Sequence, residues 1–197
     1  EIEKKLRLEM INEYNRIYSF MNLEQKKMFD FWFARREIEY LKRGLSYLYN
    51  HETLRETDDE EFFEEFFSKH TRLDCEAIKN ASTLDQFIEA CKKTPYAAVL
   101  ERSQNISADF FSISMMLDSC YYRNIWKAKD KHLKGSDRKT FEKIIGAEID
   151  MHNIIWIYRS KKYFNMSPEI TVTYLMPIRY RLSEETVKML VSAPNAD

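Results

Sequence analysis

The chain has almost nothing with which to turn tightly: three glycines and four prolines in 197 residues, where ordinary chains carry about 12% of the two together. Sandwiches, barrels and nucleotide-binding sheets need both residues in their many turns, so these folds are excluded first. No segment keeps a period of two for long, so helices remain. The expected fold class is all-α. A hydrophobic content of 44%, 14% aromatic, supplies a real core and excludes a disordered chain. The formal net charge of −1 creates no field that calls for nucleic acid. The longest apolar patch, Phe110 to Leu117, is interrupted by Ser112 and Ser114 and is too short to span a bilayer. Cys75, Cys91 and Cys120 are odd in number and widely spaced, which argues against a disulfide framework or zinc knuckle and for reduced thiols.

Caps and breakers divide the chain. The first helix runs to about Phe20. Asn22, with Gln25 three residues on, forms a capping-box pattern opening a second helix that reaches about Tyr49. Thr57 with Glu60 opens a third, to about Lys69. Asp74 caps a short fourth, and Thr83 with Gln86 opens a fifth. Thr94-Pro95 places proline at the first position of a sixth. Ser107 opens a long seventh, stopped near Gly135, and Ser136 caps an eighth that reaches about Phe164. Ser167-Pro168 and Ser183 open two more short helices, and Val172 to Met176 is read as helix.

The long pairs look like copies. Arg72-Leu73-Asp74-Cys75-Glu76-Ala77-Ile78-Lys79 recurs as Arg181-Leu182-Ser183-Glu184-Glu185-Thr186-Val187-Lys188, at an offset of 109. Glu37-Ile38-Glu39 recurs as Glu148-Ile149-Asp150, at 111. Tyr14 and Tyr121 lie in the preceding helices. Matches in order at nearly constant offset suggest pseudo-repeats of about 110 residues. The expected organisation is 1–50 as the second half of a first repeat, 51–165 as a complete middle repeat and 166–197 as the start of the next. The expectation is a fragment cut at both ends of a protein with three repeats.

The segment Phe141 to Arg159 is the most informative. Ile144, Ile145, Ile149, Ile154, Ile155, Trp156 and Ile157 cover nearly its whole circumference, and a helix apolar all round is expected to be buried. Asp150 and Asn153 share a face within it and, if buried, need partners. They form either a ligand or catalytic carboxylate, or a structural network that fixes how helices cross. The structural reading is preferred, because no second carboxylate–histidine set accompanies them. Glu148 and His152 stand four apart, whereas di-iron bundles use a duplicated Glu-x-x-His. No Gly-rich phosphate loop, His-Glu-x-x-His or Gly-x-Ser-x-Gly pattern occurs, and Cys120 beside Asp118 reads as a core thiol. Charge is local: residues 52–65 carry a net −7, interleaved with phenylalanines, and residues 121–143 carry +5. Each is a candidate rim for an oppositely charged partner.

Phe141 to Arg159, followed by Ser167-Pro168-Glu169, with Tyr121-Tyr122 and Thr94-Pro95-Tyr96 before it, resembles the C subunit of the V/A-type rotary ATPases, counterpart of the d subunit of the vacuolar proton pump. The signature is acidic-Ile-Asp-x-x-Asn-Ile, here Glu148 to Ile154. Arg36 to Lys42 resembles the equivalent stretch of the preceding repeat. The resemblance implies an all-helical funnel of three pseudo-repeats and a non-catalytic adaptor with no cofactor and no metal. It implies a place at the cytoplasmic face of the membrane, peripheral, with the central-stalk subunits and the rotor ring as partners. No catalytic residue carries over; Asp150, Asn153 and Arg159 match signature positions and are expected to be buried polar structural groups. Two other readings stay open at this point: a generic helical scaffold, and a helical-bundle metalloenzyme using Asp150, His152 and Glu148.

Overall fold

The computed structural model describes residues 2–50, 71–106 and 108–194. Among them the chain forms helices joined by turns, with no strand: α1 (Ile2–Phe20), α2 (Leu23–Asn50), α3 (Cys75–Asn80), α4 (Leu84–Ala90), α5 (Ala97–Asn105), α6 (Phe110–His132), α7 (Gly135–Lys162), α8 (Pro168–Tyr174) and α9 (Glu184–Ser192). The helix expected from Thr57 and the acidic stretch 52–65 lie outside the described residues.

Local chemistry sets most helix starts. Asn22 and Gln25 form a reciprocal capping box, each side-chain oxygen accepting the other's backbone N–H at 2.9 and 3.0 Å. Asp74 accepts from Ala77 N–H at 3.0 Å, Thr83 from Gln86 N–H at 3.3 Å, and Ser183 from Thr186 N–H at 3.1 Å. Ser167 caps α8, with Pro168 in its first turn.

Four boundaries depart from the sequence reading. Pro95 lies in a turn; α5 starts at Ala97, after Thr94 has bonded back to the Cys91 carbonyl at 2.7 Å. The cap of α6 is Asp109, whose carboxylate accepts from Ser112 N–H at 2.8 Å, while Ser107 lies outside the described residues. Helix α7 starts at Gly135 rather than after Ser136, and Gly135 takes φ +54, a left-handed value that favours glycine. It ends at Lys162, and Asn165 turns the chain at φ 45. Helix α8 ends at Tyr174, so Leu175 and Met176 are not helical.

The chain divides into two compact units, residues 1–121 and 122–197. In the first, Leu41 and Leu45 of α2, Ile78 of α3, Phe87 of α4, Leu100 of α5 and Ile113 and Leu117 of α6 are buried. Gly44 lets α4 come close: a Cβ there would stand 2.8 Å from the Phe87 ring. Lys42 of α2 meets Asp118 of α6 at 2.5 Å.

In the second unit, Ile157 of α7 packs with Leu182 and with Val187 and Val191 of α9. The α6–α7 hairpin is fixed by Lys129, only 3% exposed, whose ammonium lies 2.9 Å from Glu142, 3.0 Å from Asp130 and 4.3 Å from the Trp126 ring centre. Lys129 is therefore no part of a basic rim. Helix α7 is not buried all round either: Ile144, Ile154 and Ile155 are 60%, 40% and 42% exposed. Its neighbours among the described residues cover one side, and an apolar residue on the other stays in solvent whatever its type.

Helices α2 and α7 are built alike. Each has 28 residues and follows a two-residue connection, Met21-Asn22 or Leu133-Lys134. At an offset of 112 six buried positions coincide: Phe33 with Ile145, Glu37 with Ile149, Ile38 with Asp150, Leu41 with Asn153, Gly44 with Trp156 and Leu45 with Ile157.

Candidate functional site

The loop between α8 and α9 has a run of backbone N–H groups that no helix satisfies, lying against the buried side of α7. A buried N–H without an acceptor is costly. Asp150 supplies the acceptor. Its Oδ1 accepts from Tyr180 N–H at 2.9 Å, and its Oδ2 from Arg181 N–H at 2.6 Å and Leu182 N–H at 3.1 Å. One carboxylate thus holds three successive peptide groups immediately before the Ser183 cap. An ionised acceptor makes such bonds stronger than neutral ones, and its negative charge also suits the N-terminal end of α9.

One turn along α7, Asn153 holds the start of the same loop. Its Oδ1 accepts from Met176 N–H at 2.8 Å and its Nδ2 donates to the Met176 carbonyl at 3.4 Å. The side-chain amide pairs with one residue's whole backbone. On the other side of Asp150, one turn earlier on α7, Tyr180 presses onto Gly146, where a Cβ would stand 2.4 Å from the ring carbon Cγ. Farther along, Thr171 of α8 meets Ser160 at 3.1 Å.

The first unit contains the counterpart. Glu37 of α2 is buried, and its Oε1 accepts from Thr71 Oγ1 at 2.7 Å and Arg72 N–H at 3.3 Å. Its Oε2 accepts from the Tyr96 hydroxyl at 2.8 Å. Burial, with the Glu37 charge beside it, pushes the Tyr96 phenol well above its ordinary range. Residues 71–73 precede the Asp74-capped α3 as 180–182 precede the Ser183-capped α9.

Arg159 requires correction: it is exposed on α7, because its register position falls on the solvent side, between the buried Trp156 and Ser160 turns. Glu148 accepts from the Tyr122 hydroxyl at 3.0 Å, and the His152 ring lies 5.3 Å from the Tyr122 ring. The pair is thus held with an aromatic from α6. No group of three metal-binding side chains occurs among the described residues, and no helix among them is long and apolar enough to cross a membrane. Sequence reading missed Glu37, assigning the repeat position of Asp150 to Glu39, which is exposed and paired with Arg36 at 2.8 Å. The available signal was the spacing of Glu37 within the stripe Phe33, Ile38, Leu41 and Leu45.

Carboxylates spent on loop amides and neighbouring hydroxyls organise helices. That class of protein, a helical structural subunit, agrees with the comparisons. Residues 1–197 match the family described as ATP synthase (C/AC39) subunit, and the chain belongs to this family. It is 31% identical over 88 residues to the C subunit of the A-type ATP synthase of Methanosarcina mazei, covering 45% of this chain and 24% of that protein. It is 32% identical over 81 residues to the protein of the same name from Methanosarcina barkeri, covering 41% and 22%. The matched stretch is therefore under a quarter of each relative's length. No solved structure matches.

Proposed function

We propose that this chain is part of a non-catalytic subunit of a V/A-type rotary ATPase, coupling the central stalk to the membrane rotor ring during ion transport. The observation that carries the reading is the family match along all 197 residues. The site supports it, because Asp150, Asn153 and Glu37 tie loops to long helices, and rigidity is what a torque-bearing joint needs. On this reading the protein works at the cytoplasmic face of the membrane, peripherally, and its partners are stalk and ring subunits. The proposal includes internal duplication: α1–α2 and α6–α7 are equivalent hairpins, each followed by short helices, within a protein of three such repeats forming a funnel. The similar lengths, connections and buried registers of α2 and α7 favour duplication.

The test is co-purification with full-length protein. Stalk or ring subunits should be retained, through contacts that weaken as salt rises, and the purified protein should hydrolyse no ATP. If the wild-type protein retains none of them, the pump assignment fails.

A further inference from the structure

Helix α7 carries an apolar stripe on its solvent side. Ile144, Ala147, Met151 and Ile154 follow one another at helical spacing, and Met151 is 56% exposed. With the 180–182 loop as its second wall, the stripe lines a groove of about 670 Å³. We infer that this groove is the seat of an amphipathic helix belonging to another polypeptide, apolar toward α7 and acidic along its flank.

The groove's role rests on the duplication reading, through the register shared by α2 and α7. At the offset that aligns their buried faces, Ala147, Met151 and Ile154 fall on Arg35, Glu39 and Lys42, and Ile144 falls on Trp32. The same architecture therefore carries a charged side chain at three of the four stripe positions. Fold stability does not require isoleucine and methionine there, and a contiguous exposed apolar strip marks an interaction site.

A following helix of the same chain does not account for the stripe. In the first unit the next long helix, α6, forms an ion pair with one of these charged positions, Lys42, through Asp118. It leaves the side chains of Arg35 and Glu39 44% and 46% exposed. A helix placed on α7 in that manner would meet Ile154 and leave Ala147 and Met151 open.

The charges select the partner. Lys143 and Arg181 line the groove, and among the described residues the cationic end of neither side chain pairs with a carboxylate. Asp150 lies at the groove floor, but both its oxygens are occupied by the three loop amides. The rim is therefore positive, and a helix with acidic flanks complements it.

The test places the photo-cross-linking residue benzoylphenylalanine at Met151 of the full-length protein, in its native assembly, with Arg159 as the control position. Irradiation should join Met151 to a second polypeptide, at a peptide that mass spectrometry maps to an acid-flanked amphipathic helix. Lys143→Glu with Arg181→Glu should cut the product about tenfold while leaving the melting curve in place. Cross-linking within the same chain, no product, a partner segment without acidic flanks, or a yield indifferent to the charge reversals would each overturn the inference. Loss of this cross-link with stalk and ring retained would leave the pump assignment standing. A specific cross-link without retention of those subunits would sink only that assignment.

Discussion

Arg72 donates its backbone N–H to Glu37, and Arg181 donates its own to Asp150. The two arginines stand 109 positions apart, each opening an octet that resembles the other. Their acceptors lie one register position apart on helices of equal length, and the longer glutamate reaches a loop that, in the second unit, aspartate reaches from one position later. What the two units share is thus a device: a buried carboxylate on a long helix takes up backbone N–H groups just before a capped short helix, three for Asp150 and one, beside two hydroxyls, for Glu37. It fixes where the short helix begins relative to the long one, which apolar packing alone leaves free to slide.

Removing that acceptor orphans three loop amides at Asp150, and one amide and two hydroxyls at Glu37. Asp150→Ala should cost about 1–3 kcal/mol of stability, and Glu37→Ala a similar amount. Urea denaturation of each variant measures it; wild-type midpoints would show that the loops satisfy their amides without the carboxylates.

Gly146 governs the same loop from beneath. A methyl group there would press on Cβ and Cγ of Tyr180 at 2.6 and 2.4 Å, where the ring cannot swing aside without moving the backbone. Gly146→Ala should destabilise by about 1–3 kcal/mol, and Tyr180→Ala should suppress much of that cost. Additive losses in the double-mutant cycle would rule out the clash. Gly44→Ala should be milder, because the nearest obstacle is the far edge of the Phe87 ring at 2.8 Å.

These contacts mark where sequence reading stops. The caps at Asn22, Asp74, Thr83 and Ser183 were legible because a cap is local: side chain and amide lie three residues apart. All-helical architecture followed from the missing glycine and proline for the same reason. The face of α7 was not legible. Isoleucine reads as buried, yet Ile144 and Ile155 point to solvent, and the choice depends on which neighbours arrive. The partners of Asp150 left no trace, since any residue but proline offers a backbone N–H. Lys129 read as one more cation in a basic stretch, and only the folded hairpin brings Glu142 and Trp126 around it.

Cysteine chemistry gives an alkaline prediction. Burial, with Glu37 and Cys75 nearby, pushes the Cys91 thiol up to about 12. A group whose pKa rises on folding contributes stability below its unfolded value, about 8.5 for a thiol, and loses it as pH climbs toward the folded one. Stability should therefore fall between those limits, and Cys91→Ala should flatten the decline. Iodoacetamide at neutral pH should label the half-buried Cys75 well before Cys91 in native protein. Equal labelling of the two, read by mass spectrometry, would contradict the burial argument.

The acid side turns on the α6–α7 hairpin. The hydrogen bond from Lys129, with Arg138 adding to the field, holds the Glu142 carboxyl below its usual range. A depressed carboxyl contributes stability above its unfolded value, about 4.3, and that contribution disappears as pH falls through the folded one. Protonation would leave the buried Lys129 with Asp130 as its remaining carboxylate neighbour, an unfavourable state for an interior charge. Glu142→Gln should therefore lower the melting temperature at neutral pH and remove part of the further drop seen in acid. Lys129→Met, which replaces the buried charge with an apolar chain of similar length, should abolish the same acid-dependent component with a smaller loss at neutral pH. Melting curves of the three proteins across the acid range decide the matter: parallel profiles would mean that the Lys129–Glu142 pair does not set the hairpin's response to pH.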